Sequence, residues 1–182
     1  FTRSSSDGMF TQQSKIHAND PAADDWFGIC GSLFGDTALI GAAADDDNSK
    51  SGSGSVYVFT RSSTDGGTFT QQSKLHASDA AVTDHFGISV SLYGDTALIG
   101  AFGDDDNSKS SSGSVYVFTR SSTDDGTFTQ QSKLHASDGV AHDRFGISIS
   151  FNDDTALIAA YTDDDNSKTD SGSVYVFTRS ST

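Results

Sequence analysis

The sequence contains no glutamate: all 25 of its acidic residues are aspartate. It has one cysteine, one proline, one methionine and one tryptophan in 182 residues. Glutamate is a good helix former, whereas Asp, Ser, Thr and Gly are poor ones. With 49 Ser plus Thr and 18 Gly, the composition excludes a largely helical protein. The lone Cys30 excludes an internal disulfide framework and any multi-cysteine metal site. Basic residues are scarce too, 11 against 25 acids, for a net charge of −14. That sign disfavours nucleic-acid phosphates and anionic membranes as partners. The longest apolar run, Ala38 to Ala44, is too short to span a bilayer.

What the sequence does have is a repeat. FTRSS begins at Phe1, Phe59, Phe118 and Phe177, with periods of 58, 59 and 59 residues. The units are 1–58, 59–117 and 118–176, followed by the partial unit 177–182, and the second and third match at 44 of 59 positions. One repeat domain, 1–182, accounts for the chain. It opens at Phe1, inside a repeat and without Met, which reads as a piece of a longer array.

Each unit predicts four short strands. In the middle unit these are Phe86–Gly94, Thr96–Phe102, Gly113–Arg120 and Thr127–Ala136, joined by connections rich in Gly, Asp, Asn and Ser. Phe86, Ile88, Val90 and Leu92 alternate with Gly87, Ser89, Ser91 and Tyr93, the period of a strand. TALIGA and VYVF are apolar on both faces. Short connections make the strands antiparallel, and an antiparallel sheet with two apolar faces needs another sheet on each side. The fourth strand, TQQSKLHA, is mostly polar and suits an outer edge; the first, with Gly and Ser on one face, suits a crowded inner place. Repeated four-stranded antiparallel sheets packed face to face are the blades of a β-propeller.

At this point the residues carry a resemblance. The unit D-x-F-G-I-S-x-S…G-D-T-A-L-I-G-A…D-D-D-N-S…G-S-V-Y-V-F, at Asp25–Phe59, Asp84–Phe118 and Asp143–Phe177, resembles the FG-GAP repeat of integrin-type β-propellers. The Gly-Ala-Pro of the family name reads Gly41-Ala42-Ala43, Gly100-Ala101-Phe102 and Ala159-Ala160-Tyr161 here. The aspartate-rich calcium loop that many members carry between the first and second strands is replaced by tight turns such as Gly94-Asp95. These cannot wrap a cation that takes six to eight oxygens, so that calcium site is not carried over. The family blade begins at the FG strand, giving blades at about 27–77, 86–136 and 145–182. On this phase 10–18 is an orphan fourth strand, and the last blade lacks its own. Three blades cannot close a ring of four to eight. Either two chains exchange strands into a homodimer or the blades belong to a longer array.

Candidate site residues lie in the loops. Three Asp runs, with Asp45 and Asp47, Asp104 and Asp106, and Asp163 and Asp165, sit between second and third strands. Their hard oxygens suit calcium, or else they are solvated turns whose carboxylates cap backbone amides. In an antiparallel blade this loop shares a face with the connection from the fourth strand to the next first strand. Nine of the 15 differences between the second and third units fall on that face. Trp26, His85, Arg144, Phe102 and Tyr161 are therefore read as a partner-binding face, the one the resemblance makes ligand-binding. His17, His76 and His135 recur on separate blades and do not converge as metal ligands; Cys30, in the slot of Ser89 and Ser148, reads as a buried thiol. No Ser-His-Asp or Cys-His set stands out, which favours a non-enzyme.

The expectation is an all-β, three-blade propeller segment from an extracellular or cell-surface protein, serving adhesion or scaffolding and binding a protein or glycan. The alternatives are a lectin using aromatics such as Trp26 and Tyr93, or a propeller domain of a hydrolase or lyase.

Overall fold

A computed structural model describes residues 2–3, 9–61, 67–121, 127–165 and 167–179. Two short strands, β1 (Thr2–Arg3) and β2 (Phe10–Thr11), pair with each other. Then come β3 (Phe27–Phe34), β4 (Thr37–Ala42), β5 (Ser55–Arg61) and β6 (Phe69–Leu75), forming one antiparallel meander in that order. The second sheet repeats it with β7 (Ser89–Tyr93), β8 (Thr96–Ala101), β9 (Ser114–Arg120) and β10 (Phe128–Leu134). The third holds only β11 (Ser148–Asn152), β12 (Thr155–Ala160) and β13 (Ser173–Thr178).

The two-faced strands pack as their composition demands. In the first sheet Leu39, Val56 and Val58 join a core with Phe86, Ile99, Tyr116 and Phe118 of the second sheet. On the other side of the second sheet, Leu98 and Val115 join Phe145 and Ile158 of the third. The sheets are thus stacked as successive propeller blades. First strands lie innermost, and their Gly/Ser faces bond across blades: Leu92 N–H donates to Ser32 Oγ (3.0 Å), and Phe151 N–H to Ser91 Oγ (3.0 Å). Cys30 Sγ donates to the Gly87 carbonyl as Ser89 Oγ does to that of Gly146. Cys30 is half-buried rather than buried, although its thiol faces the second blade.

Two expected strands are shortened. The second blade's first strand begins at Ser89, not Phe86, because the left-handed backbone at His85 (φ 56°) and Gly87 (φ 89°) breaks the ladder there; in the first blade the equivalent Gly28 (φ 92°) is carried as a bulge inside β3. Of the expected strand 10–18 only Phe10–Thr11 forms, because a strand needs a hydrogen-bonded neighbour and the available one is Thr2–Arg3.

Candidate binding face

Each loop between second and third blade strands is built by its three aspartates in three different ways. The first is buried: Asp45 and Asp104 accept the hydroxyls of Ser55 (2.6 Å) and Ser114 (2.7 Å). The second closes the loop, with Asp46 Oδ1 accepting Gly52 N–H (2.8 Å) and Asp105 Oδ1 accepting Ser111 N–H (2.7 Å), a local bond that Asp favours. The third stands near a histidine: Asp47 lies 3.7 Å from His76 Nδ1, and Asp106 3.7 Å from His135 Nδ1. The third unit repeats the first two roles with Asp163 on Ser173 and Asp164 on the Asp170 amide.

A lysine from the polar fourth strand ties these loops to the connection that enters the same blade. Lys74 Nζ bridges Asp45 (2.9 Å) and Asp20 (3.0 Å); Lys133 Nζ bridges Asp104 (2.8 Å) and Asp79 (2.9 Å). Tyr116 Oη also donates to Asp79 and Asp104, and each lysine lies over its tyrosine ring. Burial pushes the Asp79 carboxyl up, but the bonds from Lys133 and Tyr116 outweigh it and leave it below the usual range. Burial alone would lower Lys133; its bonds to Asp104 and Asp79 hold it above the ordinary lysine value instead. In these two units a lysine ammonium lies between the two carboxylates. In the third unit Asp163 and Asp138 share the Tyr175 hydroxyl, and among the described residues no lysine bridges them. The paired lysines were missed in the sequence, where the fourth strand read as an outer polar edge. Their constant 29-residue offset from the first aspartate was the available signal.

The connection from fourth to first strand rests on another buried aspartate. Asp25, Asp84 and Asp143 accept the backbone N–H of Ala22 (2.7 Å), Ala81 (2.6 Å) and Val140 (2.6 Å). Burial raises the carboxyls of Asp84 and Asp143 above the usual range despite those bonds. The next residue, Trp26, His85 or Arg144, takes a left-handed φ of 57°, 56° or 59°, which swings its side chain onto the loop face. There the five residues singled out from repeat variation form one row. Trp26 stacks on His85 (5.8 Å between centroids, 6° apart), and His85 stacks on Phe102 (5.0 Å, 11°). The Arg144 guanidinium lies 5.8 Å from the Phe102 ring and 5.3 Å from that of Tyr161, whose hydroxyl it also bonds. The row crosses all three blades and ends on exposed aromatics, Trp26 and Tyr161. Tyr93 is elsewhere, in a row with Phe34 and Phe151 at the opposite ends of the first strands, so it shares no pocket with Trp26.

The profile of the FG-GAP repeat matches this chain at residues 10–59, 69–118 and 128–177, most of its length. The chain belongs to the FG-GAP repeat family. No curated protein matches it significantly. In this FG-GAP chain the motif has plain physical roles. Phe86 is wholly buried and packs edge-on against Tyr116 (5.4 Å) and Phe118 (5.9 Å), as Phe145 does against Tyr175 and Phe177. Gly100 lets two blades meet, since a Cβ there would sit 2.0 Å from the Gly146 carbonyl oxygen.

Proposed function

We propose that the chain is an adhesion or scaffold module of an extracellular or cell-surface protein, which binds its partner through the face carrying the Trp26–Tyr161 row. The observation that carries this reading is that row itself: the residues that vary between otherwise matching repeats stack across three rigid blades. Variable residues on loops held by a rigid scaffold are where recognition resides. FG-GAP repeats are typical of extracellular or surface proteins. Among the described residues no helix is long and apolar enough to cross a membrane. The surrounding aspartates and the net charge of −14 favour a protein partner with a basic surface, whose lysines and arginines meet both carboxylates and aromatic faces.

The test is retention of the chain on an immobilised lysine-rich peptide, run beside a glycan array. Binding that falls about tenfold or more in Trp26→Ala and Tyr161→Ala, with unchanged circular dichroism, supports the reading. Glycan binding alone would make the module a lectin, and retention by neither probe would overturn the proposal. Calcium is a second reading, placed at the third unit, because among the described residues no lysine bridges Asp163 and Asp138. Calcium should then raise the melting temperature of the wild type but not of Asp163→Asn; an unchanged wild type would sink that reading.

A further inference from the structure

The first two blades repeat one polar constellation where the loop face meets the fourth strand. In the second blade a pocket of about 110 Å³ is lined by Asp106, Lys109, Ser112, His135 and Gly139, among others. Asp106 opens the 3₁₀ turn Asp106–Ser108, in the loop between β8 and β9. His135 follows β10 and lies on the same side of it as Lys133, because residues two apart on a strand share a face. Lys133 meets Asp104, and His135 accordingly meets Asp106, with Nδ1 3.7 Å from a carboxylate oxygen. The first blade sets His76 Nδ1 3.7 Å from Asp47 in the same way. The offsets are identical, six residues from aspartate to serine and 23 from serine to histidine.

Two features distinguish this arrangement from a solvated turn. The first is a buried hydroxyl. Ser112, on the pocket wall and 5% exposed, and its equivalent Ser53, 0% exposed, have Oγ atoms with no hydrogen-bond partner among the described residues. Leaving such a group unsatisfied is costly and rare. The loop itself offers a remedy, since in the third unit Ser171 Oγ accepts the Asp165 N–H (3.1 Å). Ser53 and Ser112 do not take it. The second feature is the spacing. A separation of 3.7 Å is too long for a hydrogen bond. Two ligands of one zinc ion, each about 2.0–2.2 Å from it, stand about 3–4 Å apart.

The surrounding charge favours a cation. Around the second pocket Asp79, Asp104, Asp105 and Asp106 outnumber Lys109 and Lys133. Both ammonium groups are also engaged: Lys109 Nζ donates to the Gly139 carbonyl (2.5 Å), and Lys133 Nζ bridges Asp104 and Asp79. Imidazole beside carboxylate suits zinc and its neighbours among the transition metals, whereas calcium takes an all-oxygen shell. About half of each histidine side chain is exposed, which gives an ion a way in.

We propose that each of these two blades binds one transition-metal dication of the zinc class. Asp106 and His135 Nδ1 are its ligands in the second blade, Asp47 and His76 Nδ1 in the first, and the histidine keeps its proton on Nε2. Water fills the remaining positions, and the buried serine hydroxyl bonds one of those waters. The bound ion ties the loop between second and third strands to the fourth strand, beside the lysine bridge that joins the same two elements. It therefore stiffens the loop face whatever partner that face binds. The third unit is left out, because Ser171 is already bonded within its loop.

The experiment is isothermal titration of zinc chloride into the chelator-stripped chain, in the presence of excess calcium. Two equivalents should bind. His76→Ala and His135→Ala should each remove one and the double variant both, with circular dichroism unchanged because these side chains are half exposed. Asp106→Asn should act as His135→Ala does, and His142→Ala, outside both pockets, should leave two. Ser112→Ala should weaken the second site about tenfold. Zinc should raise the melting temperature of the wild type and not that of the double variant. No heat of binding, displacement by calcium, or two equivalents that survive in the double variant would each overturn the proposal. An unchanged second site in Ser112→Ala would remove the serine from it.

Discussion

Gly100 and Cys30 lie in successive inter-blade seams, the second–third and the first–second, and impose opposite demands on a probe. At Gly100 the neighbouring backbone leaves no room for a methyl, so Gly100→Ala forces two blades apart. Overpacking of this kind costs about 1–3 kcal/mol, and urea denaturation should show it. Asp153 holds a turn position where Gly35 and Gly94 stand in the other blades, with φ 58°. Asp153→Gly relieves left-handed strain and should raise stability by up to about 1 kcal/mol. The Cys30 thiol is pushed up to about 11 by burial, against which the backbone bonds at Gly41 and Val90 act only weakly. Thiolate is the reactive form, so alkylation by iodoacetamide at pH 7.5 should be at least about a hundredfold slower than for a free cysteine. An ordinary rate would show that the seam opens in solution.

The acidic loops are held by fixed electrostatics. Lys133 neutralises the buried Asp104 and the partly exposed Asp79, and Lys133→Met leaves both without their cation. Removing one partner of a largely buried pair costs about 3 kcal/mol. Because Asp79 lies below its ordinary value when folded, its contribution is present above the usual carboxylate range and is lost as pH falls through the folded value. Lys133, held above its ordinary value, contributes below the lysine range and loses that contribution as pH rises through the raised one. Asp84 runs the other way. Burial raises it, so its ionisation at neutral pH opposes folding, while an asparagine oxygen still accepts the Ala81 amide. Asp84→Asn should therefore be neutral or stabilising at pH 7, with the gain vanishing below about pH 4. A loss at pH 7 would mean that the charge itself is needed.

Across the whole molecule the charge of −14 acts against compactness. Screening by salt weakens exposed repulsions more than the partly buried Lys–Asp bridges. Raising sodium chloride from 20 mM to 0.5 M should thus raise the melting temperature by a few degrees. A fall would mean that the bridges outweigh the repulsion.

Strand count, blade order and double-sided packing were legible in the sequence, because TALIGA and VYVF are apolar with both parities and only sheets on each side can bury them. The binding face was half legible. Differences between repeats marked Trp26, His85, Phe102, Arg144 and Tyr161, but a one-dimensional repeat does not say that residues 59 apart stack. That distance is set by the blade spacing, so the row is a property of the tertiary structure. The start of the second blade's first strand was misplaced because a sequence shows Gly87 without the sign of its φ. Segment 10–18 failed as a strand for a related reason: its side chains match β6, but a strand exists only beside a neighbour. Lys74 and Lys133 read as polar edge residues until the fold carried their ammonium groups over a tyrosine ring to two carboxylates. What the sequence settled alone is periodic and local, the alternation of side chains along each repeat. What the tertiary structure decided is every contact between repeats, since those depend on how closely and at what angle one blade lies on the next.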